Sequence, residues 1–221
     1  MSGSLRLVLV RHGVTDWNRE GRFQGHLDPP LSAVGLEDAR LVADRLVTDA
    51  SLRPGRIITS ILARANATAV AIGAACAVEP EPDRRLIELG QGEWEGRTHH
   101  EIARDDAERY AAWRGSDTEP PGAETVADAM VRIGAALDDV VAAAGTICLV
   151  SHGGTLRLVA RQLLGLEAGR AWRMDLDNAS ISVVEALDDG RWRLARWNDT
   201  GHLLGRAPTH VDEAEGRPLA L

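Results

Sequence analysis

Two histidines in this sequence each follow a short apolar run that is typical of a buried strand. Leu7–Val10 leads into Arg11-His12-Gly13, and Cys148–Val150 leads into Ser151-His152-Gly153-Gly154. Imidazole is the side chain that can act as a neutral nucleophile near neutral pH without further activation. Because an arginine stands beside His12, the electrophile that this arrangement favours is a phosphoryl group.

The elements around these histidines indicate how they meet. Strand-like and helix-like segments alternate, which predicts an α/β fold: one mostly parallel sheet flanked by helices on both faces. Ligands of such sheets bind at the carboxyl ends of the strands, where helices begin. Three candidate residues follow three predicted strands, so His12, Arg64 and His152 are expected to come together although they are far apart in the sequence.

Periodicity and capping residues place the individual elements. Strands are predicted over 5–10, 56–59, 146–150, 180–187 and 191–197, with a short one beginning near 78–79. Helices are predicted over 32–47, 60–75, 98–113, 124–144 and 154–164, with Ser32 and Ser60 as N-caps of the first two. Asp188-Asp189-Gly190 is typical of a hairpin turn. We expect one catalytic domain over 1–205 and a loosely held tail over 206–221.

Composition excludes several functional classes. The chain has 221 residues and a net charge of −8, and all 25 of its Lys and Arg residues are arginine. An acidic chain without a basic run argues against a nucleic-acid partner. With no long apolar run and no secretory signal, we expect a cytoplasmic protein that does not bind membranes. Cys76 and Cys148 lie in apolar surroundings and are expected to be buried thiols.

Four segments, in order, carry a resemblance to a known family. They are Leu9–Asn18, Ser60–Ala65, Leu86–Gly90 with Gly92–Gly96, and Ser151–Gly154. Together they resemble the histidine phosphatase superfamily, which includes the cofactor-dependent phosphoglycerate mutases, and the likeness spans residues 5 to about 200. The resemblance implies a phosphoglycerate mutase-like fold. It also implies catalysis without a metal or other cofactor.

The resemblance assigns roles to five residues. His12 is the expected nucleophile, which forms a phosphohistidine while its other ring nitrogen donates to a fixed acceptor such as a backbone carbonyl. Arg11 and Arg64 are expected to clamp the phosphoryl oxygens. His152 is expected to donate to the same group as a cation. Glu88 is expected to protonate the leaving group and later to deprotonate water.

Other positions carry weaker expectations. Asn18, Gln24 and Gly25 fall where relatives place secondary phosphate contacts, and Gly153 is expected to let the backbone approach the substrate. Glu93 and Glu95 are rivals of Glu88 for the acid role. His26 and His202 line the mouth of the pocket or lie on the surface, and Trp113 belongs to a lid or anchors a helix. The pair His99-His100 could suggest a metal site, but no suitable ligand set accompanies it.

Three functions remain open at this stage. The leading hypothesis is a phosphatase that hydrolyses a small phosphorylated metabolite, such as a sugar phosphate or a glucosyl-phosphoglycerate-like compound. A Gly92-Glu93-Trp94-Glu95-Gly96 segment and the lack of lysine favour it over the second hypothesis, a phosphoglycerate mutase. The third is an inactive phosphate-binding or interaction protein on the same fold. The resemblance leaves a homodimer open.

Overall fold

The computed structural model describes residues 5–115 and 118–205, so the predicted tail over 206–221 lies outside the described residues. The strands are β1 (Leu5–Arg11), β2 (Arg56–Thr59), β3 (Pro80–Pro82), β4 (Gly145–Ser151), β5 (Ile181–Ala186) and β6 (Trp192–Asp199). The α-helices are α1 (Asp16–Arg19), α2 (Ala33–Thr48), α3 (Ala63–Cys76), α4 (His99–Asp105), α5 (Ala107–Gly115), α6 (Val126–Val141) and α7 (Gly153–Leu164).

The strands form one six-stranded sheet in the order β3-β2-β4-β1-β5-β6. The pairs β3–β2, β2–β4 and β4–β1 are parallel, whereas β1–β5 and β5–β6 are antiparallel. The prediction of a mostly parallel sheet is therefore confirmed. The short strand expected near 78–79 begins at Pro80, and its two prolines are tolerated because β3 is at the edge of the sheet.

Helices cover both faces of the sheet, as predicted. Successive side chains of β1 point to opposite faces, so Leu7 and Leu9 pack with α6 and α7, while Val8 and Val10 pack with α2 and α3. Cys76 and Cys148 belong to the second of these cores and are buried and unbridged. The parallel core thereby holds the carboxyl ends of β1, β2 and β4 side by side.

A separate aromatic core lies outside the two cores of the sheet and includes Phe23, Trp94 and Trp113. The single helix predicted over 98–113 is wrong, because α4 ends at Asp105 and α5 begins at Ala107. The break brings Trp113 against Phe23 and Trp94, with ring centroids 5.3 Å and 5.6 Å away. Trp113 is buried, so it anchors a helix and forms no lid.

The start of α3 also differs from the prediction. Ser60 was expected to cap it, but the N-cap is Leu62, which offers no side-chain hydrogen bond. Both carboxylate oxygens of Asp28 accept from the Ala63 N–H instead, at 2.8 Å and 2.9 Å. The Ser60 hydroxyl accepts from the Leu62 N–H at 3.2 Å and makes a second contact, described below. In the described ranges, no helix combines the length and apolarity needed to cross a bilayer.

Candidate active site

The two strand-end histidines meet because their strands pair directly. Arg11 at the end of β1 is opposite Ser151 at the end of β4. The His12 N–H donates to the Ser151 carbonyl at 3.0 Å. The ring centroids of His12 and His152 are 5.1 Å apart. The sheet register therefore produces the juxtaposition that the sequence predicted.

The His12 ring is oriented by its own backbone. Its Nδ1 lies 2.7 Å from the Gly13 carbonyl oxygen, which can only accept, so Nδ1 carries the proton and Nε2 keeps its lone pair. Burial, followed by the charges of Arg64 and Arg11, lowers the pKa of His12 well below its ordinary value. The Asn178 amide also donates to the His12 carbonyl at 3.1 Å. The imidazole is thus held neutral with Nε2 unprotonated.

Two buried guanidinium groups lie beside this imidazole. Arg64 is 1% exposed and donates to the carbonyls of Gly25 and Leu27, at 2.9 Å and 2.8 Å. Burial lowers its pKa to about 10, which still leaves a cation at neutral pH. Arg11 donates to the Leu176 carbonyl at 2.6 Å. Within the described ranges, the Nε of each arginine has no hydrogen-bond partner, so each retains donor capacity for an anion.

The surroundings of His152 favour a neutral imidazole. Its ring is completely buried, and its Nε2 lies 2.8 Å from the Ser60 hydroxyl. Burial, followed by the charge of Arg64, lowers the pKa of His152 well below its ordinary value. Beside the arginines alone, the buried imidazole favours its neutral form. The cationic His152 was expected for a ring that contacts phosphoryl oxygens, and it stays a prediction. The residues lining the pocket in the described ranges include neither His152 nor Gly153.

Glu88 lies at the N-terminus of α7. Its carboxylate accepts from the backbone N–H groups of Leu89, Thr155 and Gly154 at 2.9, 3.1 and 3.2 Å. A Cβ at Gly154 would lie 2.2 Å from the Leu89 Cδ1 atom and 2.8 Å from a Glu88 oxygen, so a larger residue there would displace these side chains. Glu88 is the one carboxyl residue among the described residues that line the pocket.

The rival carboxylates occupy other positions. Glu93 is exposed on the surface. Glu95 accepts from the backbone N–H groups of His26 and Gln91, at 2.9 Å each, and so ties the segment containing Gly25 to the segment after Glu88. Neither glutamate lines the pocket in the described ranges. The geometry therefore favours Glu88 for acid–base work.

A half-buried ion pair supports the loop that carries Glu88. Arg132 donates to the carbonyls of Arg85 and Glu88, at 2.7 Å and 3.3 Å. It also pairs with Glu124 at 2.6 Å, and Glu124 in turn accepts from the Gly90 N–H at 3.4 Å. Arg132 and Glu124 therefore contact backbone groups before, at and after Glu88. This role could not be predicted from the sequence, because the contacts join segments that are distant along the chain.

Of the other histidines among the described residues, His99 lines the pocket, whereas His26 and His202 do not. His26 is exposed, and its Nε2 lies 3.0 Å from the Glu88 carbonyl oxygen. His202 lies 2.9 Å from the Ala179 carbonyl and supports the turn before β5. The sequence suggests a role for His99 only in a metal pair with His100.

One pocket contains most of the predicted residues. Its described lining consists of Arg11, His12, Asn18, Arg22, Phe23, Gln24, Gly25, Arg64, Glu88, Gln91 and His99. Asn18 Oδ1 accepts from the Thr15 N–H at 3.0 Å, which orients its amide nitrogen away from Thr15. Arg22, Phe23, Gln91 and His99 had no predicted role. In the described parts of the chain, no three His, Cys, Asp or Glu residues are grouped to hold a metal ion.

The chain belongs to the histidine phosphatase superfamily (branch 1), whose family model matches residues 7–200. It is similar to phosphoserine phosphatase 1 of Hydrogenobacter thermophilus, with 32% identity over 90% of this chain and 94% of the relative. It is also similar to the probable phosphoglycerate mutase GpmB of an Enterobacter strain, with 37% identity over 90% of this chain and 95% of the relative. Mycobacterial relatives match at 32% identity, and the chain spans about half of their length (55%).

Solved structures give the same family and fold. The mycobacterial glucosyl-3-phosphoglycerate phosphatase in complex with VO3 has a TM-score of 0.81 and 33% identity, covering 88% of this chain and 99% of that one. The phosphoglycerate mutase-like fold is therefore shown. The names of the relatives include both phosphatases and mutases.

Proposed function

We propose that this protein is a metal-independent phosphomonoesterase that hydrolyses a small phosphorylated metabolite through a phosphohistidine. The observation that carries the proposal is the state of His12. Its Nδ1 proton is held by the Gly13 carbonyl and its pKa is lowered, so Nε2 is an unprotonated nucleophile. The described lining of the same pocket includes the cations Arg11 and Arg64 and one carboxyl group, Glu88. The cations supply the charge that metal ions supply in other phosphatases.

The proposed reaction has two displacements. His12 Nε2 attacks phosphorus, the bond from phosphorus to the ester oxygen breaks, and protonated Glu88 transfers its proton to that oxygen. Water then attacks the phosphohistidine and gives a proton to Glu88. The N–P bond breaks, phosphate leaves, and the electron pair returns to Nε2. Arg11 and Arg64 neutralise the phosphoryl oxygens throughout.

A mutase is the second candidate, because a relative named as a probable phosphoglycerate mutase is 37% identical to this chain. A mutase must pass the phosphoryl group back to a bound acid before water reaches it. Phosphatase-named relatives and structural neighbours support hydrolysis, and so does the absence of lysine from the chain. We place the substrate among sugar phosphates or glucosyl-phosphoglycerate-like compounds.

Phosphate release from an aryl phosphate, combined with rapid acid-free quenching, tests this proposal. Wild type should give a phosphoenzyme that is labile to acid and stable to base. His12→Ala should trap none and should retain less than about a hundredth of the wild-type rate, since loss of a nucleophile costs several orders of magnitude. His100→Ala, an exposed histidine outside the pocket, is the matched control and should behave as wild type.

Three results would contradict the proposal in different ways. Turnover by His12→Ala at a rate comparable to that of wild type would show that His12 is not the nucleophile. Transfer of the phosphoryl group from the phosphoenzyme to phosphoglycerate, in preference to water, would establish the mutase. Absence of both turnover and phosphoenzyme in wild type would establish an inactive protein on this fold.

A further inference from the structure

Gln24 and Gln91 both line the pocket, and the side-chain oxygen of each accepts no hydrogen bond within the described residues. Gln91 is 5% exposed, and its amide donates to the Leu89 carbonyl at 3.3 Å, which fixes the amide orientation. Its Oε1 atom is buried and has no hydrogen-bond partner within the described residues, and the same holds for Gln24 Oε1. Leaving a buried acceptor unpaired costs free energy, so such atoms in a pocket wall indicate a ligand that donates.

The phosphoryl group cannot be that ligand. A phosphoryl oxygen and a carboxamide oxygen are both acceptors, so Gln91 Oε1 gains nothing from the group that Arg11 and Arg64 would bind. The donor must come from the part of the substrate that leaves. A hydroxyl group has the required O–H and is the common donor on small phosphorylated metabolites.

His99 adds a second polar group to this part of the wall. Its Nδ1 lies 3.1 Å from the Tyr110 hydroxyl, and its ring packs on Phe23 with centroids 4.4 Å apart. These contacts hold the ring in one orientation and leave Nε2 as its remaining hydrogen-bonding atom. Burial lowers the pKa of His99 to about 4, so the ring offers a neutral partner at physiological pH.

The charges of this wall are already compensated. Arg22 lines the pocket, but its guanidinium pairs with Glu20 at 3.0 Å and lies 3.7 Å from Glu101. A second anionic group on the substrate would therefore meet acceptor oxygens and a neutralised arginine. An uncharged group with several hydroxyls meets complementary partners.

We propose that Gln91 and His99, with Gln24, form a specificity subsite for an uncharged polyhydroxy leaving group, such as a sugar or a polyol. The subsite lies in the same pocket as His12 and rests on the proposed phosphatase function. Gln91 accepts from a substrate hydroxyl through Oε1, and His99 Nε2 binds another hydroxyl. The subsite narrows the expected substrates of the proposed phosphatase, because it favours sugar and polyol phosphates over phosphorylated acids.

Three phosphate esters with the same carbon skeleton test the subsite. Glycerol 3-phosphate carries two hydroxyls, n-propyl phosphate carries none, and 3-phosphoglycerate carries one hydroxyl and a carboxylate. In wild type, kcat/KM for glycerol 3-phosphate should exceed that for propyl phosphate by about tenfold or more, because the analogue leaves buried acceptors unpaired. It should also exceed that for 3-phosphoglycerate.

Gln91→Leu keeps the side-chain size and removes the acceptor. The ratio of kcat/KM for glycerol 3-phosphate to kcat/KM for propyl phosphate should fall toward one in this variant. His99→Phe should lower this ratio as well. Because each ratio is measured within one variant, general damage to the enzyme cancels. Gln162→Leu makes the same change at an exposed position of α7 and should keep the wild-type ratio.

If kcat/KM of wild type is about the same for glycerol 3-phosphate and for propyl phosphate, this result alone refutes the subsite. An unchanged ratio in both Gln91→Leu and His99→Phe would also overturn it, as would faster turnover of 3-phosphoglycerate than of glycerol 3-phosphate. Aryl phosphate turnover by wild type reports on the proposed function separately. If it is present while the ratio is one, the subsite alone fails; if it is absent, both proposals fail.

Discussion

The lowered pKa of the half-buried His99 predicts how the stability of the protein changes with pH. Burial is the largest cause of its lowered pKa, and the charge of Arg114 is the second. The pKa falls from an ordinary value of 6.5 to about 4 in the folded protein. Because protonation then favours the unfolded chain, the stability contributed by neutral His99 is fully present above pH 6.5 and is lost as the pH falls toward 4.

The size of the effect follows from the two pKa values. Each pH unit between them costs about 1.4 kcal/mol, so the free energy of unfolding should lose about 2 kcal/mol from His99 by pH 5 and about 3 kcal/mol by pH 4. His12 and His152 are also buried imidazoles with lowered pKa values, and they add to the loss in wild type. A comparison of variants is needed to isolate His99.

His99→Phe keeps an aromatic ring against Phe23 and removes the titrating group. Urea unfolding of wild type and His99→Phe at several pH values between 7.5 and 5 gives the difference in stability at each pH. Since His12 and His152 are common to both proteins, their contributions cancel. The difference should shift in favour of His99→Phe by about 2 kcal/mol over this range. His100→Phe controls for loss of one imidazole from the exposed neighbouring position. A difference that stays constant with pH would refute the account of His99.

Three further predictions concern catalysis. Glu88→Gln should lower the rate on alkyl phosphates by on the order of 10²–10⁴ and should affect an aryl phosphate much less, since an aryl leaving group needs little protonation; the same pattern in Glu93→Gln instead would move the acid role. Arg132→Met should reproduce that leaving-group dependence at a smaller size, on the order of tenfold, because it releases the loop that positions Glu88; equal losses on both substrates would argue against positioning. Dialysis against a strong chelator should leave activity intact, and loss restored by Mg²⁺ or Zn²⁺ would contradict the metal-free reaction.

The parts of the site that depend on strand ends could be predicted from the sequence. A short apolar run followed by a polar turn identifies a strand in a parallel sheet, and the carboxyl ends of such strands share one edge. That reasoning placed His12 and His152 together, and the sheet register confirms it. Helix α2 could also be predicted, because Ser32 is a local capping signal that accepts from the Gly35 N–H.

Features that depend on competition between partners could not be predicted in this way. Ser60 has the residue type and position of an N-cap, but its hydroxyl contacts His152 and the cap of α3 comes from Asp28. Asn178 supports the His12 carbonyl from the opposite end of the chain. Gln91 and His99 enter the pocket because the aromatic core orients the segments that carry them. The spacing of residues in the sequence does not reveal these contacts, because tertiary packing decides which partners meet.

The arginines of the pocket have two effects that act in the same direction. They provide the donors and the charge for a phosphoryl group, and their charge adds to the larger effect of burial in lowering the pKa of His12 and of His152. A nucleophile that must be unprotonated benefits from the cations that bind its target, so one pair of side chains serves both needs. For His152 the effects oppose each other. A neutral imidazole donates through one nitrogen only, and an anion bound beside it raises its pKa by the same Coulomb interaction that the arginines use to lower it. The charge of His152 is therefore coupled to occupancy of the pocket, whereas the lone pair of His12 is secured by its bond to Gly13 before any substrate arrives.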